Sequence, residues 1–167
     1  DEAAVMAAKN AKEAANPEAA PLPCGCPGTQ SRSLRREAAA ASAAGEIPSA
    51  LGQWPVQLKL VPVSAPYFQG CDLLIAADCT AYAYGAFHRD FIAGRVTLVG
   101  CPKLDEGDYT EKLTAILSSN DIRSVTVARM EVPCCGGIQR AAEAAVAASG
   151  KRIPLRTAVI TTDGRIR

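Results

Sequence analysis

Seven cysteines carry most of the chemistry this chain can offer: Cys24, Cys26, Cys71, Cys79, Cys101, Cys134 and Cys135. Thiolates act as nucleophiles, soft metal ligands and redox groups, and spacing and surroundings decide which. An odd number, with Cys24 and Cys26 one residue apart and Cys134 and Cys135 adjacent, makes a poor disulfide framework. In a reducing compartment such a set points to metal binding or redox chemistry. No pair shows the C-x2-C spacing of a zinc ribbon. Six candidate thiols, Cys71 being set aside below, exceed the four that close a tetrahedral zinc site or a single cubane. The count favours iron-sulfur chemistry over zinc.

The hydrophobic pattern shows what must position these thiols. After Trp54 short apolar runs alternate with helical stretches. Leu73-Leu74-Ile75-Ala76-Ala77, Val96-Thr97-Leu98-Val99-Gly100 and Val125-Thr126-Val127, the last extending to about Val132, suit strands buried on both faces. Val56, Leu58 and Leu60 alternate with Gln57 and Lys59, the period of a half-exposed edge strand, and a final strand is expected over residues 157–161. Helices are expected at residues 81–91, 109–119 and 138–149, the last closed by Gly150. With right-handed crossovers this predicts a three-layer, mainly parallel α/β sheet of four or five strands, Rossmann-like in type.

Ligands in such sheets bind outside the carboxyl ends of the strands, where loops converge. Cys79 follows the first buried run, Cys101 ends the second, and Cys134-Cys135 follow the third, so the expectation is a cluster of cysteines at the C-terminal strand edge. Thiols serving only as small core residues would fall at arbitrary heights along their strands. Nearby helix starts stabilise thiolate, and Gly136-Gly137 let the backbone approach closely. Cys24 and Cys26 lie in a Pro- and Gly-rich loop that metal ligation would anchor, expected to close over the same edge. Cys71 precedes its strand, some five rises of about 3.3 Å from Cys79, and reads as a packing residue. His88 lies roughly 13 Å along a helix from Cys79, more in keeping with a supporting or surface role than with ligation. Tyr82, Tyr84 and Lys103 are candidates to line a pocket beside the thiols, Lys103 reading equally as a solvated loop residue.

Lys plus Arg number 18 against 17 Asp plus Glu, a net charge of +1, which gives no electrostatic case for nucleic acid or an anionic membrane. No apolar run approaches the about 18 to 20 residues that span a bilayer, and no signal peptide is recognisable, so a cytoplasmic location is expected. Neither a dinucleotide fingerprint, a Walker loop nor a Ser/His/Asp order is present. The 167 residues divide into an N-terminal helix or linker with the Cys24/Cys26 loop, residues 1–45, and an α/β iron-sulfur-binding domain, residues 46–167.

Four strings carry a resemblance: Leu22-Pro23-Cys24-Gly25-Cys26-Pro27-Gly28, Ala76-Ala77-Asp78-Cys79, Gly100-Cys101-Pro102-Lys103-Leu104-Asp105 and Met130-Glu131-Val132-Pro133-Cys134-Cys135-Gly136-Gly137. Together they resemble the carboxy-terminal part of a family of ferredoxin-like 4Fe-4S-binding proteins from anaerobes. The resemblance runs from Leu22 through Thr162-Asp163-Gly164, taking in Trp54-Pro55-Val56-Gln57-Leu58 and Ala65-Pro66-Tyr67-Phe68. It implies iron, an anaerobic setting and electron transfer, with a module of C-x2-C-x2-C-x3-C-P pattern ahead of this domain. That pattern is not in this sequence, and Asp1-Glu2-Ala3-Ala4-Val5 resembles the region just after the module, so a fragment of a longer protein is expected.

The leading expectation is a redox protein in which Cys79, Cys101, Cys134 and Cys135, with Cys24 and Cys26, hold a 4Fe-4S or larger cluster. It would exchange electrons with a redox partner protein or the N-terminal ferredoxin module. The alternatives are a metal-thiolate enzyme acting on a small substrate by sulfur transfer or reduction, and a zinc-binding structural domain.

Overall fold

A computed structural model describes residues 31–34 and 47–167. The helix or linker expected over residues 1–20, the loop of Cys24 and Cys26, and most of the segment up to residue 45 lie outside the described residues.

Two short strands, β1 (Arg32–Ser33) and β2 (Gln53–Trp54), pair antiparallel. The main sheet consists of β3 (Cys71–Ala77), β4 (Arg95–Gly100), β5 (Ile122–Met130) and β6 (Leu155–Ile160), all parallel, in the order β4-β3-β5-β6. The expected parallel α/β architecture is the one found. The helices are α1 (Thr80–Ala83), α2 (Thr110–Ser119) and α3 (Gly136–Ala148). Crossovers β4-α2-β5 and β5-α3-β6 run the same way across the sheet, so right-handedness puts α2 and α3 on one face, where they pack together. The β3-to-β4 connection runs the other way and covers the opposite face.

Burial explains the apolar runs. In β3, Leu73 through Ala77 are all buried because both faces are covered. Leu98, Val127 and Ile160 continue the core along the sheet, Leu113, Ile116 and Ile138 close it from α2 and α3, and Phe87 and Phe91 close it from the other side. Gly150 takes φ +70° just past α3, the conformation expected of a glycine stop. The turn after α2 is tied by buried Asn120, whose side-chain amide donates to Ile116 O (2.7 Å) and Val63 O (2.8 Å). Lys151 Nζ donates to Leu117 O and Asn120 O.

Two expectations need correction. Residues 81–91 do not form one helix: α1 ends at Ala83, Tyr84 is extended (φ −106°, ψ 106°), and the chain winds again as a π turn at His88–Ile92. Stacking of Phe87 on Phe91 at 5.0 Å, with Tyr84 edge-on to Phe91, fixes the new direction. The second is the edge strand over Val56, Leu58 and Leu60, which is a single bridge between Gln57 and Val99. Gln57 O accepts from both Leu60 N and Val61 N, so the chain turns, Leu60 is left 48 % exposed, and Val61 takes the buried place.

Beside β4, Gln53 acts as a side-chain substitute for a strand. Fully buried, it donates through Nε2 to Thr97 O and accepts from Thr97 N (3.3 Å). Beyond it, Leu58 N donates to Val99 O and Val99 N to Val56 O. At the far side, Ile166 bridges Ile160 and Arg167 N donates to Val159 O, so the residues after β6 fold back along it. No helix among the described residues is long and apolar enough to cross a membrane.

Candidate functional site

The sheet reverses its winding beside β3, and this strand with its two neighbours sends loops to the carboxyl edge where such a reversal leaves a crevice. Ala77 is in register with Gly100, so Cys79 and Cys101 leave neighbouring strand ends. Asp78 N donates to Gly100 O, carrying the ladder one residue further. From the other side, β5 ends at Met130, and a 3-10 turn at Pro133–Cys135 leads directly into α3. Cys79 and Cys134 are exposed, Cys101 is half-buried and Cys135 is buried; all are free thiols.

Close backbone packing holds these loops together. A Cβ on Gly137 would stand 3.0 Å from Pro102 Cβ, so the loop of Cys101 rests against the first turn of α3, next to Cys135. A Cβ on Gly100 would stand 2.6 Å from the Tyr109 hydroxyl, which places the start of α2 on the end of β4. At both positions a side chain would crowd its neighbour.

The electrostatics tie the groups to one another. Burial pushes the Cys135 thiol up; a backbone hydrogen bond at Met130 opposes this, and Cys134, as charge and hydrogen-bond partner, and Cys79 raise it further. Cys135 therefore senses both Cys134 and Cys79. Asp78 is also raised, first by burial and then by the charge of Asp105, with a hydrogen bond from Gln57 acting the other way. Its Oδ1 is buried with no partner among the described residues. Tyr109 donates to Asp105, and burial followed by the carboxylates of Asp105 and Asp78 and the thiol of Cys101 raises its hydroxyl well above the ordinary value.

Asp78, Asp105 and Tyr109 were not singled out from the sequence. Two are tied to cysteines by position: Asp78 precedes Cys79, and Asp105 N donates to Cys101 O across one turn. Cys71 opens β3 at the opposite edge, with its thiol pushed up to about 12 by burial and then by Asp72, in keeping with a packing residue. His88 Nδ1 accepts from Ala50 N at 3.1 Å and so anchors residues 47–50. Tyr84 donates to Asp90 at 2.6 Å, and Tyr82 is 92 % exposed. Neither tyrosine nor Lys103 lines the cavity of about 360 Å³ at this edge, whose walls include Pro102, Asp108, Thr110, Gly137, Arg140 and Ala144.

Among the described residues, no group of three or more His, Cys, Asp or Glu side chains is gathered closely enough to hold a metal ion. Cys24 and Cys26 lie outside the described residues.

A family model described as a Rossmann-like domain matches residues 65–167. An uncharacterised protein of Archaeoglobus fulgidus is 32 % identical over 115 residues, which cover 68 % of this chain and 81 % of the relative. No solved structure matches the chain.

Proposed function

We propose that this chain, which belongs to the Rossmann-like domain family, is an iron-sulfur-binding redox protein whose thiolates meet at the carboxyl edge of the sheet. The observation that carries the reading is the delivery of free cysteines by three neighbouring strands, β3, β4 and β5, to one edge, with Cys134 and Cys79 both acting on the buried Cys135. Cys135 packs in the core, but the exposed Cys79 and Cys134 and the half-buried Cys101 do not, so core packing alone does not account for thiols after all three strands. The donor set fits a soft-metal cluster in chemistry.

The ligands assigned are Cys79, Cys101, Cys134 and Cys135, with Cys24 and Cys26 completing the set. Arg32–Ser33 is paired to Gln53–Trp54 on the β4 side of the sheet. Cys26 stands five residues before Ser31, a reach of at most about 17 Å. A bound 4Fe-4S or larger cluster would supply one-electron transfer at low potential. The protein's part is to hold the thiolates, bury Cys135 and set the surrounding charge through Asp78 and Asp105, two groups that favour the less negative state. A cytoplasmic location and a redox partner protein, or the ferredoxin module of the resembling family, belong to the same proposal.

Iron and acid-labile sulfide per chain in anaerobically purified protein test it. Brown absorption with both elements is expected, lost in Cys79→Ser and Cys135→Ser and retained in Cys71→Ser. Colourless protein holding zinc would establish a structural zinc domain instead. Metal-free protein would end the proposal. The second reading, an enzyme acting on a small substrate, is favoured by one observation: the cavity between Pro102 and Gly137, which lie one residue after Cys101 and two residues after Cys135.

A further inference from the structure

We infer that this cavity is a binding site for a small carboxylate, with Arg140 as the group that recognises it. Three observations lead there: the cavity, an unpaired guanidinium in its wall, and a second charge that selects among anions.

The cavity lies between the Pro102–Thr110 connection and the first three turns of α3. Its volume of about 360 Å³ would take roughly a dozen water-sized groups at about 30 Å³ each. Pro102, Gly137 and Ala141 give it a floor of small apolar groups beside Tyr109, and Ala144 stands at its exposed rim.

Arg140 forms no ion pair and no hydrogen bond among the described residues, in contrast to the arginines at 89, 123, 165 and 167, each of which holds a carboxylate. Its guanidinium folds back over the start of its own helix, so that a Cβ on Gly136 would lie 3.1 Å from Nη1. The cation therefore stands between the cavity and the Cys134-Cys135 turn. A planar guanidinium with free N-H groups matches the two oxygens of a carboxylate.

Asp108 decides which anion. Its carboxylate lines the same cavity and is held below the ordinary carboxylate range by hydrogen bonds from the Thr110 amide (2.9 Å) and hydroxyl (2.8 Å). It remains charged at neutral pH, and it occupies the Thr110 amide that a phosphate at the start of α2 would need. With Arg140 and Asp108 both in the wall the site has no net charge, which disfavours a dianion, with its larger desolvation cost, more than a monoanionic carboxylate that meets Arg140 with one end and the small residues with the other. The site does not depend on iron, so it stands or falls separately from the cluster.

The test is an NMR titration of the ¹⁵N-labelled full chain, kept anaerobic, with acetate, lactate and inorganic phosphate, iron being assayed in the same samples. Lactate is expected to shift the amides of Thr110, Gly137 and Ala144 saturably. Binding should weaken roughly ten- to a hundredfold in Arg140→Gln, the loss expected for a charge-assisted hydrogen bond. Ala144→Leu, at an exposed position that narrows the mouth without touching the core, should weaken it as well, and iron content should be unchanged in both. Shifts that do not saturate, affinity unaltered in both variants, or phosphate binding more tightly than either carboxylate would each overturn the inference.

Discussion

Gly136 and Gly137 are neighbours in the first turn of α3, yet replacing each with alanine should change stability in opposite directions. Alanine favours the helix over glycine by about 0.5 to 1 kcal/mol in a helix interior, and by less in the first turn. At Gly136 the new methyl meets only Arg140 Nη1, at 3.1 Å, the free end of a long side chain that can swing aside. The helical gain survives, and Gly136→Ala should be neutral to about 0.5 kcal/mol more stable. At Gly137 the methyl meets Pro102 Cβ at 3.0 Å and Cγ at 3.4 Å, both in a ring fixed to its own backbone. The connection after β4 must retreat, and overpacking of this kind costs about 1 to 3 kcal/mol. That exceeds the helical gain, so Gly137→Ala should lose about 1 kcal/mol or more, some 2 to 4 °C in Tm for a chain of this size. Urea unfolding of the two variants measures the difference. The retreat of Pro102 also moves Cys101 away from α3, so this thiol should react faster with a maleimide in Gly137→Ala alone. Gly137→Ala proving as stable as Gly136→Ala would refute the close docking of the Cys101 loop.

Asp72 accepts from Arg123 and Ser124 and is held at about 2 instead of the ordinary 3.8. A pair this exposed is screened, so Asp72→Asn should lose about 1 kcal/mol at pH 7. A depressed carboxylate stabilises above its unfolded pKa and ceases to as it protonates, so wild type and variant should converge as pH falls from about 4 towards 2, which chemical denaturation at stepped pH would show. Lys151→Met removes the two donations to Leu117 O and Asn120 O and should destabilise by about 1 to 2 kcal/mol in urea unfolding; no change would remove Lys151 from the closure of α2. Gly164 combines φ +81° with an Ala83 carbonyl 2.5 Å from where a Cβ would stand. Gly164→Ala should therefore cost about 2 kcal/mol or more, with faster amide exchange at Thr161 and Arg167.

The parallel sheet was legible because its strands are buried on both faces and so read as unbroken apolar runs. Leu73 to Ala77 has no polar interruption, and a helix lying on the face of a sheet would leave part of such a run exposed. The break after Ala83 was illegible because Ala81, Tyr84, Phe87 and Phe91 keep a helical spacing through it, and only the stacking of Phe87 on Phe91 turns the chain. Leu60 and Val61 are equally apolar, and the turn at Gln57 decides which is buried. At the site, the heights of Cys79, Cys101 and Cys134 followed from where each apolar run stops. The carboxylates were another matter. Asp78 and Asp105 meet only through strand register and the placement of Tyr109, and Arg140, an exposed residue in the second turn of its helix, gives no sign in the sequence of folding its guanidinium back over Gly136.

Both outer strands of the sheet have lost much of their freedom to pair. Along β4 the outward amides and carbonyls of Thr97 and Val99 are taken by Gln53 and by Val56 and Leu58. Along β6 the returning residues occupy Val159 O and bridge Ile160. A sheet closed in this way resists edge-to-edge association, the commonest route by which exposed strands seed aggregates. It also limits how another macromolecule can be recognised. Backbone addition of a strand is blocked over these stretches, so contact must be made through side chains, and the carboxyl rim offers Tyr82 and Leu104 projecting beside Cys79 and Cys101. Recognition there would be read from shape and side-chain chemistry, within a few residues of the thiols themselves.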